Sequence, residues 1–462
     1  MKIYIDTKLE NHKNKIIPVF TNLFEISGLR VSFVNNIKDS DLVYSELKSS
    51  KKITIKSIPL SDWDSISKPL KLQSYKSYKV PKVFLNNDEY FCNEIDWVAC
   101  TYYFLSGLHE KELTDLNEFG VPSSDIMNYN FNEKAIINDF ALKIREIFSD
   151  QSYVFKPMWP NKKKYCVVLT HDVDRFIKYD FYGRLKLSMT YLRKMEYLLS
   201  MSSALKGSYS MIKKILSKDP YLHSIKRWSE FEKNNNLKSA YYIATTSCFD
   251  KKSSINDVMY KYNNKSFVKI FKNLHNDGWE IGLHTSINAY RKKLIFKEIE
   301  KFEEVFGFTP QGVRGHYWSS EKMQLSHLFT KQLSSKISYD SSLGMNDTVG
   351  FRRGISYPYK LFNFSETYSS DLYELPVFSQ DLAYHKLLKS KNSSSVREIA
   401  NNAKKNYGIL VFDFHSDAFR KDFLDSVTNK FVNLLLEFIN DTDCWIATPT
   451  EVINWVKFDR WK

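Results

Sequence analysis

From residue 165 onward, short runs poor in charge recur along the chain, with helical stretches between them. Tyr165–Thr170 is one such run, built from Tyr, Cys, Val, Val, Leu and Thr. Ser239–Thr245, Glu280–Leu283, Gly312–Arg314, Ile337–Asp340, Leu372–Val377, Ile409–Phe414 and Trp445–Ala447 repeat the pattern. Short apolar runs of this kind read as buried strands. Strands that alternate with helices build a parallel α/β sheet. About eight of them over roughly 300 residues suffice for a (β/α) barrel.

The first part of the chain is organised differently. Lys2–Ile5 and Val31–Phe33 read as strands, and Ile16–Ser27, Trp97–Leu108 and Glu133–Phe148 have helical spacing. Two prolines and a basic cluster interrupt Ser149–Lys164. We therefore expect a smaller α/β domain over 1–155 and the barrel over 160–462, with a helical insertion at about 181–235. Residues 181–218 mix Leu, Met and Tyr with Arg184, Lys186, Arg193, Lys194, Lys206, Lys213 and Lys214. The expectation is a surface helix pair that covers the barrel. The competing reading is a basic amphipathic element touching a lipid surface.

Charge narrows the partners. The chain has 67 Lys and Arg against 53 Asp and Glu, a net charge of +14. The basic residues are scattered in Lys/Asn/Ser clusters, and no nucleic-acid-binding motif accompanies them, so nucleic acid is not an expected partner. An anionic substrate or a membrane surface fits the charge. No secretory leader is evident, and the longest uncharged apolar run, Trp97–Leu108, is too short to span a bilayer. Five cysteines without Cys-x-x-Cys spacing argue against a disulfide framework. The expected location is the cytoplasm, with peripheral contact at the inner membrane surface as an option; no protein partner is expected.

The reactive residues fall at strand ends. Thr170-His171-Asp172-Val173-Asp174 follows the first strand, His284-Thr285-Ser286 the third, Arg314-Gly315-His316-Tyr317 the fourth and His415-Ser416-Asp417 the seventh. Catalytic groups of parallel barrels sit at the C-terminal ends of strands. Each group alone would pass for a turn, a cap or a satisfied core residue. Together they suggest metal-assisted hydrolysis: a carboxylate and imidazoles to hold a divalent ion, a second carboxylate to take a proton from water, and a histidine to protonate a leaving amine. No Gly-x-Ser-x-Gly elbow, Walker loop or Gly-x-Gly-x-x-Gly is present.

This order of motifs, Thr-x-Asp-x-Asp, Gly-Leu-His-Thr-Ser, Arg-x-x-Tyr and a strand-borne His, resembles the polysaccharide deacetylases, carbohydrate esterase family 4 with the NodB-homology fold. The likeness covers roughly residues 160–455. It extends to Tyr339–Gly344, Gly350–Gly354 and Leu375–Val377, which resemble the branch found in surface-polysaccharide clusters; members of that branch carry an extra N-terminal α/β domain, which Asp96–Glu110 resembles. The resemblance implies a distorted (β/α) barrel. It implies Asp172 as general base, Asp174 and His284 as metal ligands, and Arg314 as the residue that orients and pairs with the base. The backbone N–H of Tyr317 would stabilise the oxyanion, His415 would be the general acid, and Asp340 is a candidate to orient His415.

The chain departs from the family at one point. Asn288 stands where a second histidine is expected, and an amide oxygen is a poor zinc ligand beside imidazole. His316 could replace it, Asn288 itself could complete a weak site, or the protein could work without metal. The expected activity is removal of an N-acetyl or similar acyl group from an amino sugar, with zinc as the expected ion and a carbohydrate, free or lipid-linked, as substrate. A deformylase or other C–N amide hydrolase on the same fold is one rival. A non-catalytic glycan-binding protein is the other.

Overall fold

We describe a computed structural model of the 462-residue chain. It describes the chain outside residues 51, 87, 89, 112–118, 120, 122–133, 152, 218, 291, 320–326, 363–368, 390–392 and 420–425. Glu133, the first residue of the expected helix Glu133–Phe148, lies outside the described residues.

The first 150 residues begin with a four-stranded parallel sheet. Its strands are β1 (Lys2–Ile5), β2 (Ser32–Val34), β3 (Leu42–Ser45) and β4 (Ile53–Lys56), in the order β2-β1-β3-β4. A hairpin of β5 (Leu72–Tyr75) and β6 (Tyr78–Pro81) follows. Helices Lys13–Ser27, Trp97–Leu105 and Ile136–Ser149 pack against one another, and Phe20 of the first meets Tyr44 of β3 edge-on. Asp96 caps the second helix, accepting from the amides of Val98 and Ala99 at 3.0 Å. Every residue of Trp97–Leu105 is buried, which accounts for its continuous apolar sequence.

The larger sheet contains β7 (Tyr165–Val173), β8 (Ala240–Ile243), β9 (Glu280–Thr285), β10 (Gly312–Gly315), β11 (Tyr339–Asp340), β12 (Tyr359–Phe362), β13 (Ser369–Glu374), β14 (Ser379–Gln380), β15 (Ile409–His415) and β16 (Cys444–Ile446). The order is β12-β13-β11-β10-β9-β8-β7-β15-β14, with β16 joined to the first half of β7. β12 pairs antiparallel to β13 and all the other pairs are parallel. The sheet curls into a half barrel of the (β/α) kind. Large side chains fill its interior. Tyr242 and Tyr339 share a hydroxyl contact of 3.0 Å, and a Cβ at Gly312 would overlap the Tyr339 ring.

One hydrophobic core runs through both parts of the chain. Asn22, on the first helix, bonds both the amide and the carbonyl of Lys360 on β12. Glu110 pairs with Arg352 at 2.9 Å and with Arg353 at 3.1 Å. After β7 the chain forms helices Phe181–Arg193, Tyr197–Leu216 and Pro220–Asn234 before β8 begins. Among the described residues, no helix is long and apolar enough to cross a membrane.

Candidate active site

The parallel register lines up the strand ends. His415 on β15 stands beside Asp172 on β7, and Arg314 on β10 stands beside His284 on β9. Thr170 and Asp172 are two residues apart on β7, so they share a face. That face meets Arg314, whose Nη1 donates to Thr170 Oγ1 at 2.8 Å, Asp172 Oδ1 at 3.1 Å and Asp413 Oδ1 at 2.6 Å. Nε and Nη2 bond Ser341, and the guanidinium lies 4.3 Å from the centre of the Tyr242 ring. Arg314 is 0 % exposed, so its position is fixed from every side. Two carboxylates face this one cation. Burial and the nearby Asp172 charge push the Asp413 carboxyl well up, against the pull of Arg314.

Asp174, His284 and His316 form a second group. His284 Nε2 lies 3.1 Å from Asp174 Oδ1, and His316 Nε2 lies 3.5 Å from Asp174 Oδ2. One ligand atom from each of the three fits within 4.8 Å of the others. The far nitrogens are also engaged: His284 Nδ1 is 2.9 Å from the Arg314 carbonyl, and His316 Nδ1 is 3.6 Å from Asp257 Oδ1. A carbonyl only accepts, so Nδ1 of His284 donates to Arg314, and Nε2 is the nitrogen turned to Asp174. Burial works against charge at Asp174, but His316 and the hydrogen bonds from His284, His316 and His415 hold its carboxyl well below the usual range. Burial likewise opposes protonation of His316, yet Asp174 and Asp257 push it up to about 9. This donor set of one carboxylate and two imidazoles could hold a divalent metal ion.

His415 closes the arrangement. Its Nε2 lies 3.4 Å from Asp174 Oδ2, and its Nδ1 lies 2.7 Å from Asp381 Oδ1. Burial opposes its protonation, but Asp381 and Asp174 raise it well above the usual histidine value. Asp381 follows β14, the neighbour of β15, which brings it to His415.

One expectation needs correction. Asp340 does not take the place beside His415 Nδ1, because β10, β9, β8 and β7 separate β11 from β15. It accepts instead from Tyr290 at 2.5 Å and Ser342 at 2.6 Å. Of the options for the third ligand, His316 is the imidazole grouped with Asp174 and His284; Asn288 donates from Nδ2 to the Lys252 carbonyl at 3.1 Å. Three residues, Asp257, Asp381 and Asp413, went unread in the sequence. Asp413 carries a visible signal, a carboxylate between Phe412 and Phe414 in an apolar strand; Asp257 and Asp381 look like ordinary turn and helix-start residues.

Tyr317 adopts φ 56°, in the left-handed region, as does Trp318 at 59°. A non-glycine residue held there costs on the order of 1–3 kcal/mol and marks a functional turn when the surroundings enforce it. Here Trp318 is buried, and the Tyr317 ring stacks on Phe119 at 3.9 Å and on His316 at 4.4 Å. A cavity of about 270 Å³ opens at this point, with Asp174, Asp257, His316 and Tyr317 on one side and Arg184 and Tyr191 of the insertion on the other.

No family model matches the sequence, and no curated sequence does. Solved structures do match. A Mycobacterium smegmatis protein assigned as a polysaccharide deacetylase shares 17 % identity at a TM-score of 0.41, over 67 % of this chain and 96 % of its own. A Pseudomonas aeruginosa protein assigned the same way shares 10 % at 0.40, over 68 % and 98 %. Puue allantoinase shares 10 % at 0.38, over 67 % and 96 %. Scores this low fix no activity, so the chemistry must be read from the residues, whose order along the strands resembles that of the polysaccharide deacetylases.

Proposed function

We propose that the chain is a C–N hydrolase that removes an N-acyl group, acetyl in the simplest case, from an amino sugar. The observation that carries this reading is the convergence of Asp172, Asp174, His284, Arg314, His316 and His415 at the C-terminal ends of neighbouring strands. Asp174, His284 and His316 would hold a divalent ion, most simply zinc. When bound, such an ion polarises an amide carbonyl and acidifies water. Asp172 takes the proton from the attacking water, with Arg314 keeping its carboxylate in place. The Tyr317 N–H donates to the oxygen that gains charge. His415, held by Asp381, protonates the departing amine as the C–N bond breaks. The products are a carboxylic acid and a free amino sugar.

The resemblance supports a surface-polysaccharide substrate, with a lipid-linked sugar as the alternative carrier. Five free cysteines support a reducing compartment, the cytoplasm. The test is acetate and formate release from N-acetylated and N-formylated amino-sugar glycosides. Asp172→Asn should lower release by about 10²–10⁴-fold with its unfolding curve unchanged. Near-normal turnover in that variant would refute the assignment.

A further inference from the structure

The two-helix hairpin Phe181–Leu216 has its side chains distributed the wrong way round for water. Small and hydroxyl residues hold the helices together. Ser188 Oγ meets Ser200 Oγ at 2.9 Å, Ser203 Oγ donates to the Arg184 carbonyl at 2.8 Å, and a Cβ at Gly207 would sit 3.2 Å from Arg184 Cβ. The large apolar residues point outward. Leu198, Met201, Leu205, Tyr209, Ile212 and Leu216 recur every three or four positions on one helical face, and each is 57–84 % exposed. Tyr182, Leu185, Met189 and Leu192 do the same on the first helix, at 41–78 %. Of the 25 exposed large hydrophobic residues among those described, 15 lie between Tyr182 and Leu216.

A helix pair in water buries its apolar faces. Small residues inside and apolar residues outside is the arrangement of helices in lipid. The second helix has 20 residues, but Lys206, Lys213 and Lys214 interrupt it, and it does not qualify as a membrane span. An amphipathic element of this kind lies in the plane of the interface. We propose that the hairpin is a peripheral membrane anchor that docks on an anionic phospholipid bilayer. Charge selects this occupant: residues 181–216 hold seven Lys and Arg against Glu196. A second copy of a chain with net charge +14 brings the same sign to the contact. Lys206 and Lys213, one heptad apart, place cations at the level of lipid headgroups. Arg184 and Tyr191 of this hairpin also line the candidate-site cavity, so a docked bilayer lies beside the site entrance. The proposal does not depend on the hydrolase reading.

The test is co-sedimentation of the full chain with vesicles of phosphatidylglycerol and phosphatidylcholine in equal parts, against vesicles of phosphatidylcholine alone. Binding is expected to the first and to fall with added salt. Leu205→Ser with Ile212→Ser should weaken partitioning by about 100-fold or more. Lys206→Gln with Lys213→Gln should weaken it about 25-fold, at roughly fivefold per charge. The lysine pair keeps the test open if the apolar variant fails to fold. Wild-type protein that stays in the supernatant, or binding unchanged in both variants, overturns the proposal. So does a wild-type dimer in light scattering that the apolar variant converts to monomer without any vesicle binding.

Discussion

Toward the C-terminal ends of the larger sheet's strands, Arg314, Asp413 and His284 are withdrawn from water, at 0–1 % exposure; in the helical hairpin Phe181–Leu216, Leu198 and Ile215 stand in it, at 84 % and 78 %. Both regions go against the usual sorting of polar residues to the surface and apolar residues to the core. They differ in how the cost is met. The strand ends pair their buried cation internally: Arg314 reaches Thr170, Asp172, Asp413 and Ser341. The hairpin leaves its apolar faces exposed among the described residues, and the proposed cover is a bilayer. A buried, internally paired cluster points to chemistry, and an uncovered apolar face with cations beside it points to a surface.

Breaking the pairing at the strand ends should have the largest effect. Arg314→Met leaves Asp172 and Asp413 facing each other and should cost about 3–5 kcal/mol in urea unfolding. A loss under about 1 kcal/mol would mean that the two carboxylates do not depend on that cation.

A buried histidine away from the site extends the contrast, because its burial outweighs its neighbouring carboxylate. Burial, opposed by Glu110 and reinforced by Arg353 and Arg352, lowers His109 to about 4. The unfolded chain takes up this proton near pH 6.5 and the folded chain only near pH 4, so stability falls as the pH drops through that window. The loss should total about 3 kcal/mol, at roughly 1.4 kcal/mol per pH unit. Urea unfolding of wild type and His109→Asn over this range checks it; parallel pH profiles would contradict it.

Within the site, Asp381 positions His415 without belonging to the Asp174, His284 and His316 group. Asp381→Asn should reduce turnover by about 10–100-fold, at unchanged metal content. Loss of metal along with activity would give Asp381 a different role. The smallest effect belongs to the hairpin surface. Leu198→Gln should change stability by less than about 0.5 kcal/mol, since the side chain packs on little. A loss above about 2 kcal/mol would show that the chain itself covers this face.

The reactive strand ends were legible because charge-poor runs expose any polar residue that follows them. Asp172, Asp174, His284, Arg314 and His415 all stand at such ends. Partners brought in by strand order were not legible. Asp340 and Asp381 look alike in sequence, and only the placement of β14 beside β15 decides which one reaches His415. Short strands were missed for a related reason: Ser379–Gln380 has two residues, too few for any periodicity. The hairpin was expected to cover the barrel. Its composition allowed that, but the direction of its apolar faces is set by the Ser and Gly contacts between its helices, which come from the three-dimensional packing.

We propose that Asp174, His284 and His316 form the metal site, with His316 in place of the histidine expected where Asn288 stands. Metal analysis by mass spectrometry of wild-type protein, purified without chelator, and of His316→Ala tests it directly. About one divalent ion per wild-type chain is expected, with loss of that ion in the variant. No ion in the wild type after soaking in zinc, or full retention in His316→Ala, would contradict it.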